Sequence, residues 1–153
     1  MGNCCQKTTH FDPDQNYHKL KKQCQKSGEK FVDPKFPCNS SILPRDATQV
    51  EWLRPEEICQ RNGKNGEPQL FDETRDMFDV NQGELGDCWF ASALSMIADK
   101  DHFIKKVIPS GQRFDRNYWG IFRFRFYRFG EWIEIVIDDR LPTRLNVSMF
   151  QIT

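Results

Sequence analysis

The order of apolar and polar side chains predicts a helix near the N-terminus, followed by a loop-rich middle. In residues 14–25, Tyr17, Leu20 and Cys24 recur at the spacing of one helical face, and the next residues, KSGEK, predict a turn. Residues 31–68 are rich in Pro, Asn and Gly. This composition predicts loops and short elements that pack on something larger.

A second helix is predicted for residues 88–98, CWFASALSMIA. Asp87 is a suitable N-cap, because its side chain can accept hydrogen bonds from the first free backbone amides. Apolar side chains occur on every face of this segment, so we expect the helix to lie in an interior. The charged residues 99–101 predict a return to solvent.

Residues 120–139, GIFRFRFYRFGEWIEIVIDD, predict a β-hairpin. Phenylalanines and arginines alternate on its first strand (Phe122, Phe124 and Phe126 against Arg123 and Arg125). This alternation predicts a strand with one buried side. Phe129 and Gly130 interrupt the pattern, and a run rich in β-branched residues follows over 132–137.

Interleaved rings and arginines also occur on RNA-binding sheets, where rings stack on bases and guanidinium groups hold phosphates. Here the two residue types fall on opposite faces, and acidic residues offset the arginines (Glu131, Glu134, Asp138 and Asp139). The whole chain has 22 basic and 22 acidic residues and a formal net charge of +0. We therefore favour a half-buried hairpin and expect no nucleic-acid partner.

The composition, 38% apolar and 13% aromatic, is that of one globular domain. The first residues, MGNCCQKTTH, contain no apolar core of a signal peptide, so we expect a cytoplasmic protein with reduced cysteines. The cysteine and histidine spacing matches no zinc site. The longest apolar-rich run, residues 89–98, is too short to cross a bilayer.

The N-terminus carries candidate lipidation sites. Gly2 is available for myristoylation, and Cys4 and Cys5 for palmitoylation, although Gln6 stands where the acylation pattern has Ser or Thr. The first thirty residues hold a surplus of three positive charges, which favours an anionic membrane surface. The alternatives are a disordered cytosolic tail and a solvated helix face.

Cys88 stands where a nucleophile is expected. At a helix N-terminus the partial positive charge favours the thiolate, which is the reactive form. Gln82, in a loop kept compact by Gly83 and Gly86, is a candidate donor to an oxyanion beside the backbone N–H of Cys88. A lone cysteine in an apolar helix is usually a packing residue, but the joint pattern QGELGDCW favours the nucleophile.

QGELGDCW resembles the active-site cysteine motif of calpains, the calcium-dependent, papain-like cysteine endopeptidases. Other stretches are similar to calpains over residues 14–143, closest to the atypical branch without an EF-hand tail: DQNYHKLKKQC, FVDPKFP, VEWLRPEEIC, KVIP and YWGIFRFRFYRFGEWIEIVIDDRLPT. The resemblance implies an α+β fold, the cysteine-bearing helical lobe of a papain-like core with a β-hairpin. Residues 1–13 would then form a tail or lipid anchor, 14–30 a short basic helix, and 31–153 a partial catalytic domain.

The resemblance also implies the roles of individual residues. Cys88 would be the nucleophile, Gln82 an oxyanion-hole donor and Trp89 a packing neighbour of the site. A calcium ion would be held by the following residues: Asp79 through its carboxylate, and Asp72 and Thr74 through backbone carbonyls. Oxygen ligands suit such a hard cation. The implied substrates are proteins that undergo limited intracellular proteolysis.

The catalytic imidazole and its orienting amide come roughly 130 to 150 residues after the cysteine in papain-like enzymes, whereas Thr153 lies 65 positions after Cys88. His102 is expected at the surface, beyond hydrogen-bond reach of Cys88, and His10 and His18 lie in the basic N-terminal segment. We therefore expect a core truncated before the His/Asn lobe, inactive alone, with apolar surface exposed. The alternative is a noncatalytic truncated calpain that binds a membrane or a partner.

Overall fold

A computed structural model describes residues 15–43, 49–63, 68–70, 88–98, 100–144 and 147–148. Within this part the helices are α1 (Tyr17–Ser27), α2 (Pro55–Arg61), α3 (Cys88–Ala98) and α4 (Asp101–Val107), and a 3₁₀ turn spans Ser40–Ile42. The strands are β1 (Val50–Leu53), β2 (Ile121–Arg128), β3 (Glu131–Asp138), β4 (Leu141–Arg144) and β5 (Val147–Ser148). The protein therefore has the α+β fold that the sequence predicted.

Helix α1 is bounded by two local caps. The side chain of Asn16 accepts a hydrogen bond from the Lys19 backbone N–H at 2.9 Å. At the other end, the Gly28 backbone N–H donates to the Cys24 carbonyl at 2.9 Å. The predicted helix is thus confirmed, with bounds shifted from 14–25 to Tyr17–Ser27, because Asn16 caps it.

The predicted hairpin is also confirmed. Strands β2 and β3 pair antiparallel from Ile121 opposite Asp138 to Arg128 opposite Glu131. Phe129 and Gly130 connect them with φ of 51° and 88°. Two consecutive residues in the left-handed region form the kind of two-residue turn whose twist matches that of the strands.

The expectation of one buried side on β2 is wrong, because burial changes along the strand. Ile121 and Phe122 point to opposite faces and are both 4% exposed, whereas Phe126 near the turn is 39% exposed. Both faces are covered at the base of the hairpin. Helix α1 lies on the Ile121 face, and the rings of Phe114 and Tyr118 pack on the Phe122 face. In the described part, the far end of the hairpin extends beyond this cover.

The hydrophobic core joins α1 to the base of the hairpin. Its buried members are Tyr17, Cys24, Phe31, Ile121 and Val136, with Leu20 and Trp119 packed against them. The Phe31 backbone N–H donates to the Trp119 carbonyl at 2.7 Å, which ties the segment after α1 to the start of β2. The face of α1 predicted from its apolar spacing is therefore the face that packs on the core.

A second sheet has the strand order β1-β4-β5, with both pairs antiparallel. Its first pairing runs from Val50 opposite Arg144 to Leu53 opposite Leu141. The Thr143 hydroxyl adds a hydrogen bond to the Glu51 carbonyl at 2.9 Å. Strand β1, the 3₁₀ turn and α2 are the short elements expected between residues 31 and 68.

The expectation that the apolar helix α3 lies in an interior is wrong for the described part of the chain. Trp89 is 72% exposed and Met96 is 76% exposed, while Ala98 at the C-terminal end is buried. The described elements cover one side and one end of this helix, and its opposite side carries exposed apolar side chains. No helix in the described ranges combines the length and apolarity needed to cross a bilayer.

Candidate active site

Cys88 is the first residue of α3, as the sequence predicted, and its side chain is exposed. The segment is rich in helix-forming residues, and the Ser95 hydroxyl donates to the Ala91 carbonyl one turn earlier, at 3.1 Å. The backbone N–H groups of the first turn have no intrahelical partner. These N–H groups lie at the end of the helix that carries Cys88.

Trp89 follows Cys88 and lies largely in solvent. Its ring meets the Phe90 ring edge-on, with centroids 5.7 Å apart and an interplanar angle of 64°. Within the described ranges, most of the Trp89 surface is uncovered. Its role as a packing neighbour of the site stays a prediction.

Other predicted site residues lie outside the described part of the chain. They are Gln82 and the N-cap Asp87, the calcium residues Asp72, Thr74 and Asp79, and the lipidation residues Gly2, Cys4 and Cys5. Their roles therefore stay predictions. The residues that the structure does describe contain no group of three or more His, Cys, Asp or Glu side chains placed to hold a metal ion.

The two described histidines, His18 and His102, contact residues other than Cys88. His102 is exposed in the first turn of α4, and its ring centroid lies 4.0 Å from that of Phe103. His18 is exposed on α1, where its Nε2 lies 3.4 Å from Arg123 Nη1. In the described ranges neither ring is hydrogen-bonded to Cys88. His102 is a surface residue, as expected, but it lies in α4, a helix that the sequence analysis did not predict.

Sequence reasoning missed α4, which begins directly after the cysteine-bearing helix. Its signal was present, since Phe103, Ile104 and Val107 have the spacing of one helical face. Ile104 is the buried member of this set. Within the charged run, Lys100 is the N-cap of α4 and Asp101 is its first residue.

The described thiols differ in access and protonation. Burial raises the pKa of Cys24. Burial, reinforced by the Asp138 carboxylate, raises the pKa of Cys38 to about 11, and its thiol donates to Asp138 at 3.7 Å. Cys59 is half-buried, so Cys88 is the exposed thiol among the four described cysteines, all of them free. Access thus singles out Cys88 as the candidate nucleophile.

Comparison with known proteins decides the family. A sequence model described as calpain family cysteine protease matches residues 31–153. The chain belongs to the calpain family. It is 46% identical over 132 residues to Calpain clp-1 of Caenorhabditis elegans and 43% identical over 139 residues to Calpain-A of Drosophila melanogaster. It is also 37% identical over 145 residues to the Calpain-2 catalytic subunit of Homo sapiens.

These matches cover most of this chain but a small part of each relative. They span 84%, 89% and 90% of the chain, respectively. The same matches span only 16%, 16% and 20% of the three calpains. The chain is therefore similar to one section of each calpain. In this chain, that section contains Cys88 at the start of helix α3.

Proposed function

We propose that this chain carries the nucleophile of a calcium-dependent cysteine endopeptidase that cleaves proteins within the cell. The observation that carries the proposal is the exposed Cys88 thiol at the first position of the eleven-residue helix α3. A sulfur at this exposed position is open to a peptide substrate. Membership of the calpain family supports the same chemistry.

In the proposed reaction, the Cys88 thiolate attacks the carbonyl carbon of the scissile peptide. The negative charge moves to the carbonyl oxygen, where the Cys88 backbone N–H and the Gln82 side-chain amide donate hydrogen bonds. The C–N bond then breaks, and the leaving amine takes a proton from an imidazolium. Water hydrolyses the resulting thioester and regenerates the thiol.

The isolated 153-residue chain is proposed to lack turnover. Protonation of the leaving amine requires an imidazole within hydrogen-bond reach of the nucleophile. The ring of His102 lies against Phe103 and that of His18 lies beside Arg123, and in the described ranges neither is hydrogen-bonded to Cys88. The base and its orienting amide would come from the part of a calpain that this chain does not match.

Calcium dependence is part of the proposal and follows from the family resemblance. Asp79 would supply a carboxylate ligand, and Asp72 and Thr74 would supply backbone carbonyls, a donor set that suits calcium. These residues precede Gln82 in sequence. The expected readout is a calcium-dependent change in proteolytic protection of residues 72–82, reversed by a chelator and weakened by Asp79→Ala.

A chimera tests the proposal directly. The 153 residues are joined to the downstream part of Calpain clp-1, and cleavage of a fluorogenic peptide is measured with calcium. We expect cleavage by the chimera and none by the 153-residue chain alone. Cys88→Ala should abolish cleavage, and Gln82→Ala should lower kcat by about 10²–10³-fold. Cys59→Ala is the matched control and should retain activity. Cleavage that survives Cys88→Ala would refute the proposal.

A noncatalytic role at a membrane is the second candidate. It is supported by the exposed lysines of α1 (Lys19, Lys22 and Lys26) and by the lipidation pattern at Gly2, Cys4 and Cys5. The chain expressed with acylating enzymes should then float with anionic vesicles. Gly2→Ala should return it to the soluble fraction. A wild-type chain that stays soluble at low salt would contradict this role.

A further inference from the structure

A cavity of about 380 Å³ lies between α1, the loop before β2 and β2 itself. Cationic and amide side chains dominate its lining: His18, Lys21, Lys22, Gln25, Asn117 and Arg123. None of the described residues that line it is an Asp or a Glu. The cavity is open to solvent on one side and concentrates positive charge, although the whole chain has no net charge.

Helix α1 builds one wall of this basic cavity. His18, Lys21, Lys22 and Gln25 stand at positions i, i+3, i+4 and i+7, so they share one face of the helix. Lys21 is held in place, because its ammonium donates to the Tyr17 hydroxyl at 3.2 Å. Two lysines are thus presented side by side above the strand.

Arg123 on β2 contributes the third positive charge. Its side chain is 16% exposed, and its Cζ lies 4.8 Å from the centroid of the Tyr17 ring. The carboxylate of Glu134 lies 3.4 Å from Arg123 but is shared with Arg125 at 3.3 Å. The Arg123 Nε is also buried without a hydrogen-bond partner in the described part of the chain. The Glu134 carboxylate is therefore shared between two guanidinium groups, and no Asp or Glu is among the described residues that line the cavity.

The opposite wall is fixed to the strand by Gln112. This buried side chain donates to the Pro109 carbonyl at 3.0 Å and to the Arg123 carbonyl at 2.9 Å. It also accepts from the Arg123 backbone N–H at 2.6 Å. A hydrogen bond of 2.7 Å from Gln25 to Asn117 joins the same loop to α1. The cavity is therefore held open by the fold and does not need a ligand to form.

We propose that this basic cavity binds a small ligand that carries a multiply charged phosphate group. Lysine ammonium groups and an arginine guanidinium are the usual donors to phosphate oxygens, and their charge-assisted hydrogen bonds are the strong ones. The volume falls in the range of small-molecule sites, roughly 300–1,000 Å³. A pocket recessed between α1 and the loop before β2 suits a small anion better than a flat membrane surface. No residue of α3 lines the cavity, so the site is independent of the Cys88 chemistry.

Calorimetric titration of the 153-residue chain with inorganic pyrophosphate at about 0.15 M salt tests the proposal. The double variant Lys21→Gln/Lys22→Gln should weaken binding by at least about tenfold, since it removes two charge-assisted contacts. Lys19→Gln/Lys26→Gln is the matched control. It removes the same charge from the same helix at positions outside the cavity, and binding should change less than about twofold.

A single substitution guards against misfolding. Lys22 is exposed, so Lys22→Gln should keep the circular dichroism spectrum and still weaken pyrophosphate binding. Absence of pyrophosphate binding, or an equal loss in both double variants, would overturn the proposal.

Vesicles that contain phosphatidylserine are used in a separate experiment. Binding to them that depends on Lys21 and Lys22, and that pyrophosphate does not displace, would overturn it in favour of a membrane surface.

Discussion

Arg54 and Asp139 form a buried ion pair across 85 residues of sequence. Their side chains are 15% and 3% exposed. The pair joins the N-cap of α2 to the end of the hairpin, and both partners have further contacts. Arg54 donates to the Phe31 carbonyl at 2.9 Å, and the Tyr118 hydroxyl donates to Asp139. One polar cluster thus connects four separate segments of the chain.

Asp139→Asn should lower the free energy of unfolding by about 3–5 kcal/mol, because the Arg54 charge stays buried without its counterion. The measurement is the urea midpoint followed by circular dichroism. Glu51→Gln breaks the exposed ion pair with Arg61 and should leave the midpoint nearly unchanged. Equal effects of the two substitutions would show that burial of the Arg54 pair is unimportant.

Gly120→Ala should lower the free energy of unfolding by more than about 2 kcal/mol. Gly120 has φ of 64°, and a Cβ there would collide with the Arg54 guanidinium and lie 3.2 Å from the Lys30 Cβ. Gly63 is the matched control. Its φ is also 64°, but a Cβ would meet no atom of the described residues within 4 Å, so Gly63→Ala should cost about 1–2 kcal/mol from backbone strain. Similar losses at both positions would contradict the predicted collision.

Phe129→Asn should raise the melting temperature. Phe129 is 91% exposed and has φ of 51°, a backbone conformation that asparagine adopts more readily. The relief of strain, about 1 kcal/mol, exceeds the exposed cation–π contact with Arg128, worth about 0.5 kcal/mol. Phe129→Leu keeps the strain and should give no gain. A melting temperature that rises equally in both variants would point to reduced exposed apolar surface as the cause.

Alkylation by iodoacetamide at pH 7.5, followed by mass spectrometry, should modify Cys88 first and Cys38 last among the described cysteines. A pKa of about 11 keeps the Cys38 thiol protonated at neutral pH, so its rate should increase as the pH rises towards that value. Asp138→Asn removes a negative charge beside the thiol and should speed the modification of Cys38. Equal rates at Cys38 and Cys88 at neutral pH would contradict the assigned order.

The features predicted from sequence are those specified by local spacing. Tyr17, Leu20 and Cys24 share one helical face, and the turn at Phe129 and Gly130 ends the alternation on β2. Each of these two patterns can be recognised from residues that are close together in the sequence. The bounds of α3 and the position of Cys88 follow in the same way from one contiguous motif.

The features that were missed depend on contacts between distant segments. An apolar helix is expected to be buried. The sequence of α3 does not specify which elements bury it, and Trp89 and Met96 are exposed in the described structure. The graded burial of β2 depends on where α1 and Phe114 lie. The α1 residues that line the basic cavity can be predicted from their spacing in the sequence. Arg123, which completes it, comes from a strand about a hundred residues later.

Helix α1 has a consequence for any attempt to express this protein in pieces. The match to the calpain family model begins at residue 31, yet two of the side chains in the central core, Tyr17 and Cys24, precede it. A fragment designed to start at Phe31 would leave Ile121 and Val136 without their cover and would remove the aromatic ring beneath Arg123. The packed core thus begins earlier in the chain than the match to the family model does.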